Sequence, residues 1–368
     1  MKKSTYQIIG LMSGSSLDGI DLAHCSFESH GKNLHWKLNA ASTLPFSKEW
    51  TNKLLELTQS NSKTLLAAHA AFGRYLGEQV NHFLQEQQLN CDIIASHGHT
   101  IFHYPEEQFT FQLGDGAAIA ATTGIPTIDR FRAMDMAFGG QGAPVAPIVD
   151  RYLFEGYDYY LNIGGIANIS APIRDHRMVA FDIGGANQIL DALAQIDGHS
   201  YDDKGKIAAS GTPIPMLYDQ INALPYFSES YPKSLGNDWV LDQQTSVYLQ
   251  HTGKTADKLS TACKQLAYQT AKAILQIQNQ EKQQKSAYKM LVTGGGAWNT
   301  FLIQQIRDAC QKVCNLAIHI PSDEIIGFKE AILMALMGYL RMTKQNNCLA
   351  TATGATQDSV SGSLHHIN

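Results

Sequence analysis

Several signals that would settle the class of this chain early are absent from its 368 residues. Only six cysteines occur, Cys25, Cys91, Cys263, Cys310, Cys314 and Cys348, scattered along the whole length. That spacing excludes a disulfide framework. Cys310 and Cys314 stand at i, i+4, but no two further metal ligands lie near them in sequence, so ordinary thiols are expected. Charged residues make up only 17% of the chain and apolar ones 44%, which excludes a disordered segment or a coiled coil. There is no basic excess. With 28 basic and 33 acidic residues the net charge is −5, the wrong sign for a nucleic-acid platform or an anionic-membrane binder. The longest strongly apolar run, AILMALMGYL at 331–340, falls short of the roughly 20 residues that a bilayer requires. The start, MKKSTYQIIG, lacks a long apolar h-region, so no signal peptide and a cytoplasmic address are expected. The histidines form no HExxH motif, and no GxxxxGK[ST] lysine occurs.

What the chain does have is glycine in places that matter. YQIIGLMSGSSLDGIDLAHCSF (6–27) reads as strand, Gly/Ser turn and strand. YYLNIGGIANISAP (159–172) repeats that pattern, and MVAFDIGGANQILDALAQI (178–196) follows it with a strand that opens into a helix. The recurrence near residue 10 and again near 164 predicts an internal duplication of two α/β halves with a cleft between them. Helical periodicity is expected over 52–88, 258–278 and 330–341, and strands over 91–103 and 288–293. Strands alternating with helices predict α/β architecture with mostly covered sheets. The expected division is 1–150 and 151–330, with the helix-bearing segment 330–368 packing back on the first lobe.

Five segments could carry chemistry. In GLMSGSSLDGID (10–21), Gly14, Ser15, Ser16 and Gly19 offer a turn that can approach phosphate, and Asp18 and Asp21 could hold Mg²⁺. A plain hairpin turn explains the same letters. Gly294, Gly295 and Gly296 follow a strand and open a helix, which suits a phosphate or flat ligand at a helix start, or merely a tight connection. Asp182 ends an apolar run before Gly184-Gly185, where a general base or a turn aspartate fits. Asn187 and Asp191 read equally as capping or polar-face residues. Arg130 and Arg132, with Asp129 and Asp135, precede a Gly-Gly-Gln-Gly loop holding Gln141; guanidinium groups suit phosphate or carboxylate, and a solvated strand is the plainer account. His97, His99 and His103 lie in SHGHTIFH (96–103), where a ligand-contacting polar turn, a structural role and a metal site are all open.

In this order, the five segments resemble the anhydro-N-acetylmuramic acid kinases. GLMSGSSLDGID is the most specific element, and GGQGAP (139–144), LNIGGIANIS (161–170), VTGGGAWN (292–299) and Lys329-Glu330-Ala331 match as well. The resemblance runs from about Tyr6 to Thr353-Gly354-Ala355. It implies the duplicated two-domain actin/hexokinase/Hsp70-like ATPase fold with an interdomain cleft. It also implies a reaction in which water opens the 1,6-anhydro bridge of a muramic sugar while ATP phosphorylates O6, giving N-acetylmuramic acid 6-phosphate in cell-wall recycling. On this likeness Asp182 is the base. ATP and Mg²⁺ would be held by Gly14, Ser15, Ser16, Leu17, Asp18, Gly19, Ile20 and Asp21, with Gly164, Gly165, Gly294, Gly295, Gly296 and Asn299 adding nucleotide contacts. The sugar would meet His97, Arg132, Gln141, Asn187 and Glu330. Partners are thus a small sugar and ATP, with no nucleic acid or membrane, and a homodimer is compatible with the sequence.

Three departures stand out. His99 replaces the usual Gln, Arg130 replaces an acid, and Gly185-Ala186 replaces Pro-Gly; a position needing positive φ would penalise Ala186. These leave open a kinase for another anhydro or ordinary sugar, or a catalytically weak ATP-binding regulator.

Overall fold

The computed structural model describes the chain except residues 1–4, 15, 16, 18, 31, 32, 175, 176, 283 and 368. Contacts divide it into two units, Met1–Glu155 with Phe328–Asn368, and Gly156–Gly327.

The first unit is built on strands β1 (Thr5–Ser13), β2 (Gly19–His30), β3 (Asn33–Pro45), β4 (Ile93–Tyr104), β5 (Phe109–Leu113), β6 (Thr127–Asp129) and, from the chain's end, β12 (Ser363–His365). The second holds β7 (Tyr159–Ile163), β8 (Ile166–Pro172), β9 (Met178–Gly185), β10 (Tyr288–Thr293) and β11 (Leu316–His319). The two sheets share one plan. The first runs β6-β4-β1-β2-β3 and the second β11-β10-β7-β8-β9, so each reads fifth, fourth, first, second, third in chain order. Directions agree too. Both pair the fifth, fourth and first strands in parallel and the first three antiparallel. The first sheet adds β5 beside β4 and β12 beside β6. The duplication glimpsed in two glycine turns therefore extends to whole sheets.

In β1, Ile8 and Ile9 are both fully buried, which requires cover on both faces of the sheet. One cover is helix Ser62–Gln87, whose Phe72, Leu76, Val80 and Phe83 form an apolar stripe in the core with Ile9, Leu22 and Ile94. The sequence predicts one helical stretch here from residue 52. The structure breaks it, with helix Lys48–Glu56 ending before Asn61, whose side chain accepts the Thr64 N–H at 3.0 Å and starts the longer helix afresh.

The other cover is helix Asp323–Met342, and glycine lets it approach. A Cβ on Gly10 would lie 1.8 Å from the Ala331 carbonyl oxygen, and one on Gly338 would lie 2.8 Å from the Ala95 Cβ. Gly10→Ala is expected to destabilise the protein by about 3 kcal/mol, because backbone and not a flexible side chain blocks the methyl group. A lowered urea midpoint at unchanged slope would report it, whereas an unchanged midpoint would mean the helix retreats freely.

The second unit packs Tyr159, Leu161, Ile169, Phe181 and Ile183 of its sheet against the long helix Thr255–Glu281, through Leu259, Leu266 and Ile274. Among the described residues, no helix is long and apolar enough to cross a membrane.

Candidate active site

Asp182 lies in β9 at an irregular step. Ala167 of β8 pairs with Gly184, yet Asn168 pairs with Asp182, so Ile183 is an extra residue in β9. A bulge of this kind re-aims its neighbours. Phe181 and Ile183 are buried on either side, and the Phe181 ring stacks on Tyr231 with centroids 4.9 Å apart. The half-buried Asp182 is held by a distant loop. The Leu235 N–H donates to its Oδ2 at 2.8 Å, and the Tyr226 hydroxyl donates to its main-chain carbonyl at 2.7 Å. Lys233 in turn donates to the Tyr226 carbonyl at 3.1 Å and sits 4.4 Å from that ring's centroid. Burial pushes the Asp182 carboxyl above the usual carboxylate range, while the Leu235 N–H opposes the shift. Oδ1 has no hydrogen-bond partner among the described residues. The result is an oriented carboxylate with one oxygen tied and one open, as proton abstraction needs. Ala186, a few residues on, has φ −129°, so its place in the altered segment carries no left-handed penalty.

The same unit contains a cavity of about 680 Å³, within the range of small-molecule sites. Its walls are Asn187, Leu190 and Asp191 of helix Asn187–Ala194, the segment 200–204, and the segment 295–300. Packing dictates two of the three consecutive glycines. Gly294 has φ +79° and a Cβ there would lie 2.6 Å from the Ile163 carbonyl oxygen; a Cβ on Gly296 would lie 2.2 Å from the Ile163 Cγ2. Gly295 is free of such crowding and lines the cavity. Asn299 also lines it, while its Oδ1 accepts the Leu302 N–H at 2.9 Å and caps helix Thr300–Cys310. Gly164 and Gly165 form the β7–β8 turn, and their carbonyls accept the Asn187 and Ala186 N–H groups at 3.0 and 2.8 Å; they are not among the cavity-lining residues. Asn187, expected beside a sugar, lines this cavity and donates to the Ile163 carbonyl at 3.1 Å. Sequence reasoning missed Tyr201, Asp202 and Lys204, which sit in a segment without a motif, and Trp298, which lies inside VTGGGAWN but was not singled out. It left Asp191 unassigned, although helical spacing puts it one turn from Asn187.

In the first unit, the predicted phosphate turn is only partly visible. Ser15, Ser16 and Asp18 lie outside the described residues. Leu17 has φ +59°. Two of the predicted contacts also have structural reasons for their residue type. Ile20 is fully buried in the core, so its side chain cannot meet a ligand. Gly19 is required by β3, since its Cβ would lie 2.4 Å from the Leu44 carbonyl oxygen. Asp21 accepts the Thr43 hydroxyl at 2.5 Å.

Arg132 anchors a second cluster. Its Nε donates to His97 Nε2 at 2.9 Å and its guanidinium donates to the Gly142 carbonyl at 2.6 Å. A guanidinium only donates, so His97 Nε2 must accept and Nδ1 carries the proton, directed at the Gly98 carbonyl 3.1 Å away. Burial first, and Arg132 second, push the His97 pKa down to about 3. His97 is thus a neutral support for Arg132, with both nitrogens committed, where the sequence suggests a direct ligand contact. Asp135 braces the loop, accepting the Gly142 N–H at 2.8 Å and the Thr353 hydroxyl at 2.7 Å. The Gln141 N–H donates to the Thr353 carbonyl at 2.9 Å, and its side chain is exposed. The three histidines do not converge on a metal. His99 pairs with the Ser13 hydroxyl at 3.0 Å and His103 with that of Thr110 at 3.1 Å, and among the described residues no group of three or more metal-ligating side chains forms. Desolvation pushes the Glu330 carboxyl up; Arg132 opposes this and Asp21 adds to it. Arg132, Glu330 and Asp21 therefore share one electrostatic neighbourhood.

The repeated sheet plan defines a duplicated α/β protein of two like units, the second of which holds a glycine-walled cavity and an oriented carboxylate. The chain is a member of the anhydro-N-acetylmuramic acid kinase family, whose sequence profile matches residues 6–366. It is 32% identical over 388 residues to the anhydro-N-acetylmuramic acid kinase of Acinetobacter baylyi, covering 98% of this chain and 99% of that one. It is 33% identical to the kinases of the same name from Sulfurovum sp. and Aliivibrio fischeri, covering 99% and 98% of this chain and 100% and 99% of theirs.

Proposed function

We propose that this chain opens the 1,6-anhydro bridge of anhydro-N-acetylmuramic acid with water and phosphorylates O6 with ATP, using Asp182 as the general base. The observation that carries this reading is the Asp182 carboxylate, oriented by the Leu235 N–H through one oxygen and open at the other. Burial makes it a stronger base than an ordinary aspartate. Asp182 takes a proton from water as the water oxygen bonds to the anomeric carbon. The attack comes from the face opposite the bridge, the geometry of an inverting displacement. The bond from the anomeric carbon to O6 breaks. O6 then bonds to the γ-phosphorus as the bond to the β,γ-bridging oxygen breaks, leaving ADP and the 6-phosphorylated sugar.

We assign adenosine to the cavity of the second unit and recognition of an anionic group, the sugar carboxylate or a phosphate, to Arg132, with Gln141 and Glu330 beside it. Positioning and charge neutralisation govern such a transfer more than covalent chemistry does. The carboxylates of Asp21 and Glu330, with Asp18 one short step before Asp21 in sequence, fit Mg²⁺, which takes oxygen ligands and commonly one or two carboxylates along with phosphate oxygens. Bound with ATP, the ion would neutralise phosphate charge.

The test is ADP release with Mg²⁺ and ATP. Stimulation by the anhydro sugar and not by open-ring N-acetylmuramic acid is expected, with heavy oxygen from labelled water appearing at the anomeric carbon. Equal stimulation by both sugars, or label in the phosphate, would overturn the coupled reaction. A second expectation concerns His97. His97→Leu removes the acceptor that fixes Arg132 and should raise the sugar KM about tenfold, the scale of one lost charged hydrogen bond. Steady-state kinetics read this. His97→Gln, which keeps an acceptor, should recover part of it, and an unchanged KM in His97→Leu would remove His97 from ligand recognition.

A further inference from the structure

The carboxylates and amides around the cavity are nearly all committed to the protein itself. Asp202 accepts the Ile207 N–H at 2.8 Å and the Ala208 N–H at 2.9 Å. Asp203 is paired with Lys206 at 2.6 Å. Thr300 donates to the Lys204 carbonyl at 3.0 Å, and Asn187 and Asn299 are engaged as described. Asp191 is the exception. It stands one helical turn beyond Asn187 and lines the same cavity beside Leu190. Its carboxyl has no hydrogen-bond partner among the described residues. Burial alone pushes its pKa up to about 6, so near neutral pH it is held as a desolvated anion. A half-buried carboxylate without a donor is unfavourable for the folded state. Such a group makes physical sense where a ligand supplies the missing donor.

We infer that Asp191 selects the nucleotide, its carboxylate accepting a hydrogen bond from a donor of the nucleoside. This rests on the assignment of adenosine to the cavity. An ionised carboxylate only accepts, so it favours the ribose hydroxyls or the exocyclic amine of adenine and disfavours a carbonyl oxygen at the same place. No other group in the cavity wall offers an uncommitted carboxylate.

The experiment is calorimetric binding at pH 8 of ATP, 2′-deoxy-ATP and inosine triphosphate to the wild-type chain, Asp191→Asn and Gly295→Val. Asp191→Asn should bind ATP about tenfold more weakly, as expected for loss of one charged hydrogen bond. Its thermal midpoint should be unchanged or higher, because an unpartnered charge is gone. One analogue should bind the wild type about tenfold more weakly than ATP and show no further loss in Asp191→Asn. A penalty for deoxy-ATP identifies a ribose hydroxyl as the donor; a penalty for inosine triphosphate identifies the amine. Gly295→Val narrows the cavity and tests the underlying assignment. If it abolishes ATP binding while Asp191→Asn binds all three nucleotides like the wild type, the inference about Asp191 fails and the cavity assignment stands. If Gly295→Val folds and binds ATP normally, the cavity assignment itself fails.

Discussion

Asp182→Asn should lower kcat about a thousandfold while ATP affinity stays within about twofold, the range that a lost general base commands. The amide fills the same space and can still accept the Leu235 N–H, so the geometry survives and only basicity is lost. Sugar-dependent ADP release and nucleotide titration measure the two quantities, and a loss under tenfold would remove Asp182 from the chemical step. The wild-type pH profile gives a second check. The base works deprotonated, so the rate falls as pH drops through its folded pKa. Burial raises that pKa, so the acid limb should stand above the ordinary carboxylate range and disappear from the residual activity of the variant. Stability should move the other way. A carboxyl with a raised folded pKa is disfavoured as an anion in the folded state. Its destabilising effect is present above the folded pKa and vanishes below the unfolded one, where both states are protonated. Near neutral pH Asp182→Asn should therefore be no less stable than the wild type, which separates a catalytic loss from a folding defect.

Lys329→Met should destabilise the protein by about 3–5 kcal/mol, the scale for breaking a buried ion pair from one side. Lys329 donates to Asp150 Oδ1 at 2.7 Å, and both side chains are buried. The pair joins helix Pro147–Leu153 to the helix that covers β1, across 179 residues of sequence. Methionine retains most of the volume but leaves the Asp150 carboxylate without its ammonium counter-charge. Adding Asp150→Leu should recover part of the loss, because the buried carboxylate goes with it. Urea unfolding of the two single variants and the double variant gives the coupling. A double variant as unstable as the sum of the singles would show that packing, and not the charge, is what Lys329 supplies.

The sequence was most readable where a local pattern is repeated. Two strand–glycine–strand units announced two sheets, and the helix over 255–281 carried its own periodicity. The strand β3 left no such mark. It lies at the edge of its sheet, half exposed, and its letters NLHWKLNAASTLP alternate too weakly to distinguish a strand from a loop. Within the candidate site, Asp182 was legible as a base only through the family resemblance, since its letters alone fit a turn aspartate as well. Its supports were not, since Tyr226 and Leu235 lie 44 and 53 residues downstream in a loop that only folding brings back. Gly19 and Ile20 show a double burden. Motif resemblance marks them as ligand contacts, and a neighbouring strand and the core also constrain them. His97 is similar: the resemblance implies contact, and its two committed nitrogens also make it a brace for Arg132.

The extra residue in β9 has a consequence for length. A strand displays its side chains by parity, odd positions to one face and even positions to the other. Ile183 resets that count between Asp182 and the segment leading to Asn187. A chain lacking this one residue would keep the aspartate, the glycines and the asparagine, yet one side of the step would have to turn over to restore regular pairing. Aspartate and cavity wall could then no longer both keep their present orientations. At this point of the chain a deletion is the more severe lesion than a substitution, and a count of residues between Phe181 and Asn187 says as much about competence as the letters themselves.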